Sequence, residues 1–302
     1  MIPLAESHRE VDQNEPGIWR WMMRRFPERF ATSAYRLADR ASRRAGEDMD
    51  QLFERAQNRF RSLHRANPTY VPALKLWGVA LAGRALKCNQ PIVDQMYGEA
   101  VEKLSLALTL APNDVEVLIN LAKVLERLAW LKLPHISRPG LVRARELAER
   151  ALSLEPHHPQ ALDVWAFVLY GQVHAVPGED IDQTLADAYA KFKSAYESTA
   201  NGGILSGWAT IAFAQADRTS GSDADRLLRD AKGKYAEAYS RDPMSTYNLA
   251  CVCARLGELD ECRDWLEKSG EPGRFLTREE MAADPELAAV RNCAWFQLLL
   301  GA

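Results

Sequence analysis

The chain has 302 residues, of which 47% are hydrophobic, and its formal net charge is −3. This composition predicts a globular protein with a large core, and from the near-neutral charge we expect no nucleic acid as a partner. Runs of alternating Val, Ile, Thr and Tyr are nearly absent, whereas Ala, Leu, Arg and Glu favour helices throughout.

The first predicted element lies in the N-terminal segment, residues 1–26. An apolar stripe of Ile18, Met22 and Phe26 follows one helical face, with arginines mostly on the opposite face. Three interpretations remain open: a cap helix packed on the next unit, a dimer or partner surface, or a helix lying at a membrane interface. For a dimer or partner surface, the candidate residues are Trp19, Met22, Arg25 and Phe26.

Arginine is concentrated near this end of the chain. Residues 18–65 hold twelve arginines against six acidic residues, so the remainder of the chain is net acidic. Such a segment is either a solvated basic face or a docking surface for an acidic partner.

From residue 27 onward the sequence repeats with a period of 44 residues. Each unit contains two apolar stretches at helical spacing, separated by a breaker such as Asn89-Gln90-Pro91, so each is predicted to be a helix–turn–helix. Three kinds of mark share the period: small residues at Ala34, Gly78, Ala122 and Ala166, alanines at Ala56, Ala100, Ala144 and Ala188, and prolines at Pro68, Pro112 and Pro156.

These marks resemble the tetratricopeptide repeat (TPR) family. One unit shows both halves of the family pattern, with Leu74, Trp77, Gly78 and Leu81 in its first helix and Ala100, Leu104, Ala107 and Pro112 in its second. The resemblance implies an all-α fold, namely a right-handed α-solenoid of about six antiparallel helical hairpins. The unit is longer than the family's 34 residues.

The resemblance also divides the chain. It implies a solenoid over residues 27–269, with units near 27–70, 71–114, 115–158, 159–202, 203–243 and 244–269. The last segment, residues 270–302, is similar to the C-terminal end cap of bacterial repeat proteins of this type. Such a cap closes the apolar face of the last unit.

In this family, the first helix of each unit lines a concave groove that binds partners. The corresponding positions here are Lys75, Lys123, Glu126, Arg127, Asp163, Phe167, Tyr170, Ile211, Gln215 and Arg255. Cations beside aromatic rings suit a protein or peptide partner that presents an acidic-apolar segment. The alternative is that the lengthened helices rotate these positions into contacts between units.

The sequence shows no pattern typical of catalysis. It contains no phosphate loop, dinucleotide fingerprint, paired-histidine zinc helix or nucleophile elbow, so we expect no enzyme activity, cofactor or metal. The predicted function is a protein-interaction scaffold or adaptor. A dedicated chaperone for a secreted or effector protein and an accessory subunit of an enzyme complex are the alternatives.

Location and assembly are less constrained by the sequence. The five cysteines lack metal-ligand spacing, and neither a signal peptide nor a membrane span is recognisable, which favours the cytoplasm. The partner and the oligomeric state stay open.

Overall fold

The computed structural model describes residues 17–44, 46–86, 92–130, 134–175, 181–241, 246–268 and 278–301. Within these ranges every regular element is a helix and there is no strand. The chain divides into two compact parts, residues 1–112 and 113–302, which we call the first unit and the second unit; each is larger than one predicted repeat. Residues 1–16 of the predicted N-terminal segment, residue 269 of the predicted solenoid and residues 270–277 of the predicted C-terminal segment lie outside the described residues.

The described residues of the first unit form five helices, four of which pair along the chain. They are α1 (Gly17–Arg25), α2 (Pro27–Ser42), α3 (Gly46–Ala66), α4 (Val71–Ala85) and α5 (Ile92–Leu110). Helix α2 packs against α3 and α4 packs against α5, so each pair is a helical hairpin. Proline stands in the first turn of both α2 and α4, where its missing N–H costs no hydrogen bond.

Trp77 fixes the packing of the two hairpins in the first unit. Its ring stacks on Phe60 with centroids 5.8 Å apart, and its Nε1 donates a hydrogen bond of 2.7 Å to the buried Gln57. On the next residue, Gly78, a Cβ atom would lie 2.6 Å from Leu104 Cγ. The small residue therefore allows α4 to approach α5 closely.

The second unit continues the pairing of consecutive helices. It contains α6 (Val115–Trp130), α7 (Pro134–Leu154), α8 (Pro159–Ala175), α9 (Asp182–Thr199), α10 (Leu205–Asp217), α11 (Gly221–Arg241), α12 (Thr246–Arg255), α13 (Leu259–Lys268), α14 (Arg278–Ala283) and α15 (Ala294–Leu300). Short 3-10 helices lie at Gly202–Ile204 and Pro285–Leu287. Helices α6 and α7, α10 and α11, and α12 and α13 form closely packed hairpins.

The C-terminal elements belong to the core of the second unit. Met281, Leu287, Val290 and Phe296 are buried in one cluster with residues of α10, α11, α12 and α13. Burial of these side chains removes the apolar face of the last hairpin from water. The 44-residue period and the identity of this segment as an end cap stay predictions.

The N-terminal stripe is arranged differently from the prediction. Helix α1 ends at Arg25 and α2 begins at Pro27. The N–H of Phe26 still bonds to the carbonyl of Met22 at 2.8 Å, but the backbone of Phe26 leaves helical dihedral angles before the proline. Met23 is the buried residue of α1, while Trp19 and Phe26 are 48% and 38% exposed. Neither ring is therefore largely buried within a single chain, and burial of Trp19 and Phe26 at a dimer or partner surface stays a prediction.

Candidate binding surfaces

An open groove lies between α2 and α3 in the first unit and encloses about 680 Å³. Five arginines line this arginine groove, three from α2 and two from α3: Arg29, Arg36, Arg40, Arg55 and Arg59. The other lining residues are Glu28, Thr32, Ser33 and Leu37. The groove therefore carries five formal positive charges against one negative charge.

Helical spacing brings these arginines to one side of the hairpin. Arg29, Arg36 and Arg40 are seven and four residues apart, which places them on one face of α2. That face is opposite the one on which Tyr35 and Ala38 line a small cleft with α4 residues. The arginine groove thus lies on the side of the first hairpin that faces away from α4.

The guanidinium groups of the groove are exposed and lack carboxylate partners. All five arginines are exposed, and among the described residues none of them forms an ion pair. Arg59 donates a hydrogen bond to Ser33 Oγ, and Arg29 lies over the ring of Phe26, 5.4 Å from its centroid. Arg36 and Arg40 are four residues apart on α2, and Arg55 and Arg59 are four residues apart on α3, so the like charges of each pair repel one another.

The second candidate surface is formed by the first helices of the hairpins in the second unit: α6, α8, α10 and α12. We call it the first-helix surface, and its residues are Lys123, Arg127, Asp163, Phe167, Tyr170, Gln215 and Arg255. It includes most of the positions predicted from the sequence. Lys75 belongs to α4 in the first unit and is partly buried.

Two predicted positions are not available to a partner. Ile211 is fully buried, and Glu126 is 6% exposed with its carboxylate 3.6 Å from Arg127 Nε. Both face the packed interior because α10 and α6 are covered on that side by neighbouring helices. These two residues act in packing and in local charge pairing.

At the α6–α8 end of the first-helix surface, one carboxylate faces two cations. Burial raises the pKa of Asp163 to about 6, while the positive charges of Lys123 and Arg127 act in the opposite direction. Arg127 is exposed and Phe167 is partly exposed. This end thus offers cations and an aromatic ring to solvent.

At the α8–α12 end, the chain's own C-terminal segment covers the surface. Glu286 is buried and accepts hydrogen bonds from Tyr170 Oη at 3.3 Å and from Arg255 Nη1 at 2.7 Å. Arg255 also donates to Asp217, and the ring of Tyr170 stacks on Phe213 at 5.7 Å. Burial raises the pKa of Tyr170 well above its usual value, and the charge of Glu286 adds to the effect.

The turn that carries Glu286 is held on both sides. Tyr247 donates a hydrogen bond to the carboxylate of Asp284. The same carboxylate accepts a hydrogen bond of 2.9 Å from the backbone N–H of Glu286. Arg291 donates to the carbonyl of Asp284 at 3.0 Å. Sequence analysis did not identify Asp284 and Glu286 as residues of this surface, because they lie far along the chain from Tyr170.

One cluster has the composition of a metal site but already holds a cation. Cys253, Glu258 and Glu261 bring their ligand atoms within 4.8 Å of one another. The ammonium of Lys232 lies 2.7 Å from each of the two carboxylates. Burial also raises the pKa of the Cys253 thiol to about 12, which opposes the thiolate form that binds metals.

Comparison with known proteins supports the fold alone. No family model matches the sequence, and no curated protein matches it. The human IFIT1 dimer with PPP-AAAA superposes with a TM-score of 0.50 at 13% identity, covering 84% of this chain and 59% of IFIT1. The human IFIT1 dimer with m7Gppp-AAAA gives a TM-score of 0.47 at 14% identity, over 84% and 58% of the two chains.

The first superposition confirms the predicted fold class, because IFIT1 is a TPR-containing protein. The fold is an all-α, TPR-like solenoid of helical hairpins. This chain spans less than two thirds of the length of IFIT1.

The expectation that nucleic acid is excluded as a partner was wrong. It rested on the net charge of the whole chain, yet a protein of this fold is solved with PPP-AAAA. Total charge averages over local patches, and the arginine groove shows how basic one hairpin can be within a chain of net charge −3. In the part of the chain that the structure describes, no helix is both long and apolar enough to cross a membrane.

Proposed function

We propose that the protein is a non-catalytic scaffold that binds an acidic-apolar segment of a partner protein at the α6–α8 end of the first-helix surface. Repeated helical hairpins present extended surfaces for binding. Lys123, Arg127 and Phe167 supply the charge and the aromatic ring for such a ligand.

The observation that supports this proposal is that the chain's own C-terminal segment occupies the neighbouring α8–α12 end of the surface. There the chain's own turn places Glu286 against Tyr170 and Arg255 and buries Leu287. An acidic side chain beside an apolar one is thus the chemistry that this surface already accepts. A partner segment of the same chemistry can extend along the surface toward Arg127.

Selection of displayed random peptides on the full chain tests the proposal. We expect enriched peptides to combine Asp or Glu with Leu or an aromatic residue, and the double variant K123A/R127A to bind them at least tenfold more weakly. The matched control is K193A/R143A, which removes two exposed cations from second helices. Unchanged affinity of the selected peptides for K123A/R127A would refute the assignment.

Copurification with quantitative mass spectrometry separates the adaptor from the two alternatives. Several weakly bound partners, all reduced by K123A/R127A, are expected for an adaptor. One stoichiometric secreted client would instead identify a chaperone, and one stoichiometric enzyme would identify an accessory subunit.

A further inference from the structure

The arginine groove is not used by the proposed protein scaffold, and its charge calls for an anionic ligand. Five exposed guanidiniums face one cavity that contains a single acidic residue, Glu28. A surface whose charges served only to keep the protein soluble could carry both signs. We propose that this groove binds the phosphate backbone of a single-stranded nucleic acid.

The geometry of the arginines fits a run of phosphates better than one small anion. Arg29 and Arg40 are eleven residues apart on α2, or about 16 Å along the helix axis at 1.5 Å per residue. Arg55 and Arg59 border the same cavity from α3. The planar guanidinium matches phosphate oxygens in a bidentate manner, and Thr32 and Ser33 add hydroxyl groups to the lining.

Exposed aromatic rings adjoin one end of the groove and provide places for bases to stack. Phe26 lies beneath the guanidiniums of both Arg25 and Arg29, at 5.3 and 5.4 Å from its centroid. Trp21 is 59% exposed, and its ring contacts that of Phe26 edge-on at 6.4 Å. Trp21, Phe26 and Arg29 thus form a continuous path into the groove.

Cations that follow the backbone, together with rings that stack on bases, are the two components of single-strand binding without sequence preference. An acidic protein segment would use the arginines but has no bases to stack on Trp21. A duplex keeps its bases stacked inside, so the exposed rings favour a single strand.

Fluorescence anisotropy of the full chain with a labelled single-stranded oligouridylate tests the proposal. We expect R36E/R40E to weaken binding at least tenfold and to flatten the dependence of affinity on salt between about 50 and 200 mM, since each phosphate contact contributes a slope of about 0.7 on the logarithmic scale. The matched control R44E/R61E reverses two exposed arginines outside the groove and should weaken binding less than about threefold.

Trp21→Ala separates a nucleic acid from other polyanions. It should weaken oligouridylate binding about fivefold or more without changing the salt dependence, because stacking is removed while phosphate contacts remain. A labelled polyglutamate peptide serves as the competing ligand. Equal affinity for polyglutamate with no effect of Trp21→Ala would overturn the proposal in favour of an acidic protein.

Two further results would also overturn it: absence of oligouridylate binding, or equal losses in R36E/R40E and R44E/R61E. Circular dichroism of each variant verifies that the helical fold is retained. These results are independent of the peptide selection that tests the proposed function. The variant used there, K123A/R127A, changes only helix α6 and leaves the arginines of the groove in place.

Discussion

In the first unit, Arg36, Arg40 and Arg55 line a groove without a carboxylate partner among the described residues, whereas in the second unit Arg255 is held by Asp217 and Glu286. Arginine therefore has two roles in this protein. Where the chain supplies its own carboxylates, arginine stabilises the fold. Where it supplies none, the charge remains available to a ligand, and the fold tolerates the repulsion.

The strongest test of this comparison removes the side chain of Glu286, the carboxylate that the chain itself supplies to Arg255. Glu286→Ala removes one of the two carboxylates that bind Arg255 and the acceptor of the Tyr170 hydrogen bond, and we expect the free energy of unfolding to fall by about 2–4 kcal/mol. Chemical denaturation measures the loss. Glu267→Ala is the control, since it removes only an exposed pair with Arg263 and should cost less than about 1 kcal/mol.

Close helix packing is expected in both units, and glycine substitutions test it. Gly78→Ala forces a contact with Leu104, and Gly207→Ala a contact at 2.8 Å with Phe192, so each should cost about 1–3 kcal/mol. A Cβ atom added at Gly98 in α5 would have no neighbouring atom within 4 Å, so Gly98→Ala should stabilise by about 0.5–1 kcal/mol. Equal thermal midpoints for the three variants would contradict the packing.

The pH dependence of stability tests the α6–α8 end of the first-helix surface. The folded pKa of Asp163, about 6, lies above its ordinary value of 3.8, so its cost to stability is absent below about pH 3.8 and complete above about pH 6. Asp163→Asn should therefore stabilise the protein by about 1–2 kcal/mol at pH 7.5 and by little at pH 4. A gain that is the same at both values of pH would mean that Asp163 ionises normally.

The smallest expected effect concerns the unpaired arginines. Arg36→Ala should leave the free energy of unfolding unchanged or raise it by less than about 0.5 kcal/mol, because it relieves repulsion within the groove. The gain should shrink as salt is added. A loss above about 1 kcal/mol in denaturant melts would show that Arg36 stabilises the fold and would weaken the contrast with Arg255.

Much of the architecture could be predicted from local patterns. Trp77 and Trp165 recur at equivalent positions of the repeat, and both are 6% exposed in the structure. Helix α4 begins at Val71, where the proline mark and the apolar spacing place the start of a unit. These features depend on neighbours within a few residues, which is why sequence spacing reveals them.

The candidate surfaces were only partly predictable. The excess of arginine in residues 18–65 was visible, and the spacing of Arg29, Arg36 and Arg40 was the signal that could have located the groove. Phe26 keeps its hydrogen bond to the carbonyl of Met22, yet its side chain is exposed, and its backbone leaves helical dihedral angles because Pro27 follows. The backbone angles at a single residue can therefore decide whether its side chain reaches solvent.

The sequence by itself determined that this protein is a series of helical hairpins, because helical periodicity and small-residue marks act over short distances. Only the tertiary structure decided which charges are neutralised. Glu286 reaches Arg255 across 31 residues and Tyr170 across 116, and no local pattern encodes such a contact. The packing of the C-terminal segment against the last hairpins brings these groups together, whereas among the described residues no carboxylate pairs with the arginines of the groove.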